Sequence, residues 1–259
     1  MKIEHDLHIH TYLSACCTEK EVQVPKNIIA LAENMGMKTI GFADHLWMNP
    51  AIPPNPWYKP QDESQIVRLK KDLSSIKTKV RILVGCEADT LGPGRFSITK
   101  EFAKTLDYVL LSCSHIHIKD AVEQPKSLSY RDTAEHLVKM FLSAVESGIP
   151  TIIAHPFALV GSLHDLSEGL VGALSDLELF DAFSVATKNN VAIEINAAAV
   201  GMRDAPLRLI NSAKKAGCKF TFGSDAHGPK GQQAIVAMQA FLDEVGIVAD
   251  DILPLAKET

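Results

Sequence analysis

Asp6-Leu7-His8-Ile9-His10 closes the first apolar run of the chain, and the way it closes decides how the rest is read. Side chains two apart on a strand point the same way, so His8 and His10 share one face, with Asp6 one step deeper on it. Six further apolar, β-branched-rich runs end in a similar manner: on Ala43-Asp44-His45, Gly85-Cys86-Glu87, Cys113-Ser114-His115, Ala154-His155-Pro156, Glu194-Ile195-Asn196 and Ser224-Asp225-Ala226-His227. A single histidine after a strand is ordinarily a surface or core residue. Imidazole or carboxylate at nearly every strand end predicts instead a polynuclear metal site and hydrolytic chemistry.

These runs, at 3–10, 38–44, 81–87, 108–114, 150–155, 191–196 and 219–224, alternate with segments of helical periodicity at 26–36, 62–77, 131–148, 176–190, 205–217 and 230–245. Gly36 and Gly148 stand where helices close, a position that favours the left-handed conformation. Alternation of this kind predicts parallel strands with crossover helices, in a doubly wound sheet or in a closed barrel. An open sheet gathers its site at one switch point, whereas here almost every strand contributes, as at the C-terminal rim of a barrel. No internal repeat, linker or low-complexity tract divides the chain, so residues 1–259 are expected to form one domain.

Composition narrows the function. A chain of 259 residues suits one α/β barrel of about 250 residues, and 46% hydrophobic content suits a large core. A net charge of −5 without a Lys/Arg-rich run argues against a nucleic-acid binder that works by phosphate neutralisation. The opening residues lack a signal-peptide core, and no apolar stretch approaches the roughly 20 residues needed to cross a bilayer, so no membrane partner is expected. Five cysteines without CxxC spacing suggest reduced thiols and a cytoplasmic protein. Mixed His and carboxylate ligation suits zinc, manganese or iron, and the lack of a thiolate-rich set argues against a purely structural zinc site. Asp6 is placed to accept a bond from a histidine's second ring nitrogen.

From Asp6-Leu7-His8-Ile9-His10-Thr11 to Gly223-Ser224-Asp225-Ala226-His227, the order and spacing of these motifs resemble the PHP (polymerase and histidinol phosphatase) superfamily. The resemblance implies an α/β fold, a distorted (β/α)7 TIM-like barrel, with two or three divalent metal ions (Zn, Mn or Fe) at the C-terminal rim. By position, His8, His10, Glu87 and Asp225 would hold one ion. Glu87 would bridge to a second ion, shared with His115 and His155, and a third would lie between His45 and His227. Many family members supply a further ligand from an Asp or His five or six residues after the second His of the HxH pair. Ala15 and Cys16 stand there in this chain, and Cys16 can serve as a thiolate ligand or pack as a small hydrophobe.

The implied activity is a metal-dependent phosphoesterase for a small phosphorylated substrate, most simply a phosphomonoesterase of the histidinol-phosphatase type. Two ions a few Å apart can activate a bridging water, with Glu87 and Asp225 as catalytic ligands. Phosphodiesterase, phosphotriesterase or protein-tyrosine phosphatase activity fits the same scaffold. An amidohydrolase-like enzyme also uses HxH and a late-strand Asp but commonly bridges its metals with a modified Lys, where this chain has His115. A non-catalytic PHP module is disfavoured by the completeness of the ligand set. Arg203 is the first candidate for a phosphate clamp, with Arg95, Lys119 and Lys230 on other strand-following loops. His117 is a candidate proton donor to the leaving group. The loop 47–60 carries both tryptophans and Pro50, Pro53, Pro54, Pro56 and Pro60, and is expected to wall the substrate site through Trp47.

Overall fold

The computed structural model describes residues 1–201 and 203–257. Two sheets form. β1 (His5–Ile9), β2 (Thr39–Phe42) and β3 (Arg81–Val84) make a parallel sheet in that order. The second sheet contains β4 (Cys86–Gly92), β5 (Arg95–Phe96), β6 (Val109–Ser112), β7 (Ile152–Ala154), β8 (Ala192–Asn196) and β9 (Phe220–Gly223), in the order β5-β4-β6-β7-β8-β9. Its pairs are parallel except β4 with β5. Between and beyond the strands run α1 (Pro25–Met35), α2 (Glu63–Leu73), α3 (Lys100–Ala103), α4 (Tyr130–Glu146), α5 (Ser167–Gly172), α6 (Asp176–Lys188), α7 (Ala197–Val200), α8 (Asp204–Lys215), α9 (Pro229–Ala234) and α10 (Gln239–Val245).

Local chemistry sets the helix ends. Pro25 opens α1 where a missing N–H costs nothing, and Gly36 closes it in the left-handed region at φ 74°. Ser175 and Glu178 form a reciprocal capping box on α6, and the Asp62 and Ser129 side chains accept from Ser64 N and Asp132 N at the starts of α2 and α4. α2 stops at Leu73, short of the expected residue 77, and the expected helix 230–245 is broken by a 3₁₀ turn at Ile235–Met238. α3, α5 and α7 have four to six residues, too few for a periodic pattern to reveal them. No described helix is long and apolar enough to cross a membrane.

The strand ladder departs from the single closed ring expected of the sequence. The run 81–87 divides at Gly85, where a Cβ would sit 2.6 Å from the Tyr108 ring and from which β3 joins β2 while β4 joins β6. Beyond the strand ends the two sheets touch. Ile9 bridges Ala226, His45 bridges Glu87, and His10 N donates to Ala226 O at 3.0 Å. These contacts fall where β1, β2, β4 and β9 deliver their polar termini, so the backbone itself draws the chemistry-bearing residues together.

Candidate metal centre

Glu87 is the hub. Its carboxylate is fully buried on β4, with Oε1 3.0 Å from His155 Nε2 and 3.6 Å from His115 Nε2. Oε2 lies 3.5 Å from the Nε2 atoms of both His8 and His10, and 3.2 Å from His45 Nδ1. Asp225 Oδ1 approaches His10 Nε2 at 3.1 Å and His8 Nε2 at 3.5 Å. Asp225 (φ 53°) and His155 (φ 26°) both hold backbone conformations that L residues seldom adopt, which places strain at the site itself.

The orientation of the rings tests whether cations fit. His8 Nδ1 meets Glu194 Oε1 at 2.7 Å, His115 Nδ1 meets Asp89 Oδ1 at 2.6 Å, and His227 Nδ1 meets the Asp225 carbonyl at 2.8 Å. These partners only accept, so each Nδ1 carries the hydrogen and each neutral ring leaves a lone pair on Nε2. His10 Nδ1 and His155 Nδ1 are held by the hydroxyls of Ser14 and Ser114, both at 3.1 Å. Five imidazoles are thus anchored on one side and aim the other nitrogen inward. His8 Nε2 and His10 Nε2 face each other at 3.2 Å, and buried His45 Nδ1 has no aligned hydrogen-bond partner. Donor sets of this kind fit divalent cations. Among the described residues, three groups have ligand atoms within 4.8 Å of one another: His8, His10 and Glu87; Glu87, His115 and His155; and His10, Cys16, His45 and His227.

Electrostatics agree with that fit. Burial opposes the Glu87 charge, but His45, His8 and His115 outweigh it and hold its pKa well below the usual carboxylate range. Burial likewise disfavours the Asp225 charge, yet His8 and His10 hold its pKa low. Burial opposes protonation of His8 and His115, but carboxylates prevail: Glu194, Asp225 and Glu87 raise His8 well above its ordinary value, and Asp89 with Glu87 lifts His115 to about 9. His10 and His45 fall to about 4 through burial, with His227 acting further on His10. Burial and the Glu87 charge push the Cys16 thiol upward, while its Sγ stands 2.9 Å from His227 Nε2. The buried carboxylates call for nearby positive charge, which bound cations would supply in place of ring protons.

Several expected roles change. Asp6 accepts from the backbone N–H groups of His8 and Ser224 and, among the described residues, is hydrogen-bonded to no histidine ring; Glu194 and Asp89 orient His8 and His115 instead. Trp47 is buried, its Nε1 donating to Ile52 O at 2.7 Å, whereas Trp57 is 38% exposed with its ring edge-on to His45 at 5.2 Å. Of the two tryptophans, Trp57 is the one whose ring faces a proposed ligand. Arg203 projects to Glu244 at 3.3 Å, drawn towards α10 rather than the centre. Arg95, Lys119 and Lys230 are exposed and, among the described residues, make no ion pair or hydrogen bond with the site. His117 is exposed and lies edge-on to His115 at 5.3 Å, and partial desolvation with that neighbour shifts its pKa downward. Cys86 and Cys113 are buried, as expected of packing residues.

The orienting residues were missed, though alternation held a signal. Asp89 lies two residues beyond Glu87 on β4, and Glu194 two before Asn196 on β8, each on the face of its strand-mate. Arg203→Ala should change turnover by less than about twofold, because an exposed ion pair contributes little. A tenfold loss in steady-state kinetics would return Arg203 to the site.

The PHP domain family matches residues 6–198. A probable phosphatase of Aliivibrio fischeri (strain MJ11) is 23% identical, over 98% of this chain and 89% of its own length. Histidinol phosphate phosphatase from Lactococcus lactis, solved with zinc, L-histidinol and phosphate, superposes with a TM-score of 0.59 at 17% identity, covering 96% of this chain and 95% of that one. A. niger ochratoxinase superposes at 0.50 with 9% identity, covering 95% and 67%. Structural likeness at such identities speaks for the fold. With most of its length matched by the family, the chain belongs to the PHP domain family and is a metal-dependent hydrolase of phosphate esters.

Proposed function

We propose that the chain is a phosphomonoesterase acting on small phosphate esters with two or three divalent ions, of Zn, Mn or Fe. The observation that carries this reading is the aim of four anchored imidazoles, those of His8, His10, His115 and His155, at one buried carboxylate, Glu87. His8, His10, Glu87 and Asp225 would hold one ion, and Glu87, His115 and His155 a second. His45, His227 and Cys16, with His10 beside them, would hold the third, where a thiolate favours zinc. Such ions supply Lewis acidity towards phosphoryl oxygens and an activated water. We further infer that the two sheets are arcs of one distorted barrel, since the bridges at Ile9–Ala226 and His45–Glu87 fall where its rim would close.

The chain's own groups do the rest. Glu87 spans the first two ligand groups and fixes their spacing, while Asp225 completes the first. Trp57 presents an aromatic edge beside His45 and would exclude water from one flank of a bound ester. Among the described residues no Lys or Arg is hydrogen-bonded or ion-paired to the centre, so phosphate charge would be met by the held cations rather than by a guanidinium clamp. Support for a monoester comes from the Lactococcus lactis neighbour, whose structure holds phosphate and histidinol with zinc.

The test is phosphate release from a panel of mono-, di- and triesters after reconstitution with Zn²⁺, Mn²⁺ or Fe²⁺, alongside elemental analysis. Monoesters should turn over fastest, with at least two ions bound per chain. Less than one bound ion after reconstitution would sink the assignment, and preference for a diester would move it to the alternative activity.

A further inference from the structure

We infer that Tyr58 is a positioning residue that joins the wall of the site's mouth to the proposed metal ligand His115, through Asp89. The inference rests on the metal-centre reading above and assigns a role to a side chain outside its ligand set.

The segment 47–61 is built as one braced unit. Trp47 N donates to Gln61 O at 2.8 Å, Tyr58 N donates to Asn55 Oδ1 at 2.9 Å, and Asn55 Nδ2 reaches Asp120 at 3.1 Å. Gln61 accepts from Ala15 N at 2.9 Å, tying the unit to the loop that carries Cys16. Within it the Tyr58 ring is wedged between Trp47, at 5.0 Å, and Trp57, at 4.6 Å, and stands edge-on to His45 at 6.0 Å. Packing alone would ask only for a phenyl ring there. The hydroxyl goes further: it donates a hydrogen bond to Asp89 Oδ2, while Asp89 Oδ1 accepts from His115 Nδ1 at 2.6 Å.

Asp89 is fully buried, so each of its oxygens needs a donor, and these two donors fix the plane of the carboxylate. The carboxylate in turn fixes the His115 ring, whose Nε2 faces Glu87. Removing the Tyr58 hydroxyl leaves Oδ2 unsatisfied and lets the carboxylate rotate. The His115 ring then loses its fixed aim, a change that elsewhere lowers metal affinity about 10- to 100-fold. The same bond works in the other direction. If a cation orders His115 and Asp89, it also orders Tyr58, and with it Trp57 at the mouth, because coupling between two sites is reciprocal.

Tyr58→Phe keeps the ring and removes only the hydroxyl. Two quantities decide: Zn²⁺ affinity by competition with a chromophoric chelator, and backbone hydrogen exchange across 47–61 with and without Zn²⁺. In the wild-type protein Zn²⁺ should slow exchange across this segment. In Tyr58→Phe the affinity should fall about 10- to 100-fold, and at saturating Zn²⁺ the segment should stay less protected than in the wild type. Wild-type affinity and wild-type protection in the variant would overturn the inference while leaving the metal centre intact. Failure of the wild-type protein to bind Zn²⁺ at all would overturn the metal centre, and this inference with it. Should Tyr58→Phe not fold, Asp89→Asn carries the same test from the other end of the bond. It should weaken Zn²⁺ binding and loosen 47–61 together, and loss of only one of the two would break the proposed link.

Discussion

Glu87→Gln should lower turnover by on the order of a thousandfold or more while leaving the fold in place, a loss of about 4 kcal/mol in transition-state stabilisation. Gln keeps the volume and one carbonyl oxygen but gives up the charge and one acceptor. The two carboxylate oxygens approach five imidazoles at 3.0 to 3.6 Å, more than any other side chain of the centre reaches. With an amide in that place, the first two ligand groups lose their common anion. Cations held there would repel each other across a neutral group, and at least one should be lost. Elemental analysis should therefore show a fall in bound metal that parallels the fall in phosphate release. Near wild-type turnover of Glu87→Gln at saturating metal would remove Glu87 from the hub. Loss of turnover with full metal content would confine its part to chemistry rather than to assembly.

What could be read in the sequence followed from periodicity at strand ends. The two-residue repeat in His8 and His10 predicts that they share a face, and the structure brings both beside Glu87 and Asp225. Asp225 and His227, by contrast, lie beyond the end of β9, where the backbone of Asp225 turns left-handed and the strand repeat no longer applies. Parallel pairing and the crossover helices were legible for the same reason. The break at Gly85 was not, because it depends on Tyr108, a residue 23 positions later whose ring fills the space a side chain would need. The direction in which Arg203 points was hidden on a similar ground. Its place after β8 was read correctly, but its direction is set by Glu244 on α10, a partner far along the chain. Trp47 and Trp57 share one loop and differ only in which of them packs inward, which local sequence does not encode.

Glu194 shows how a single side chain can carry what was first expected of Asp6. Oε1 accepts from His8 Nδ1 at 2.7 Å and Oε2 from the His155 backbone N–H at 2.7 Å, so one carboxylate orients a ring and holds the strained turn that presents another. Gly223 on the neighbouring β9 makes room for it, since a Cβ there would overlap the Glu194 carboxylate. Glu194→Gln keeps an acceptor for one partner but turns the other end of the group into an NH₂ donor. Either the His8 ring or the His155 N–H then faces a donor in a fully buried place. Metal affinity should fall about 10- to 100-fold, and stability by about 1–3 kcal/mol, measured by chelator competition and by denaturant unfolding of the metal-free protein. Because Glu194 touches no cation in the proposed scheme, raising the metal concentration should restore much of the turnover, an outcome not expected of Glu87→Gln. Asp6→Asn gives the contrast: Asp6 accepts from the backbone N–H groups of His8 and Ser224 and lies beside the Ser224 hydroxyl, donors that an amide oxygen can still meet, so metal affinity should stay within about threefold, well short of the loss expected when a ring's orienting partner is removed. If Asp6→Asn weakened metal binding as strongly as Glu194→Gln, the orienting role would have to be shared between them.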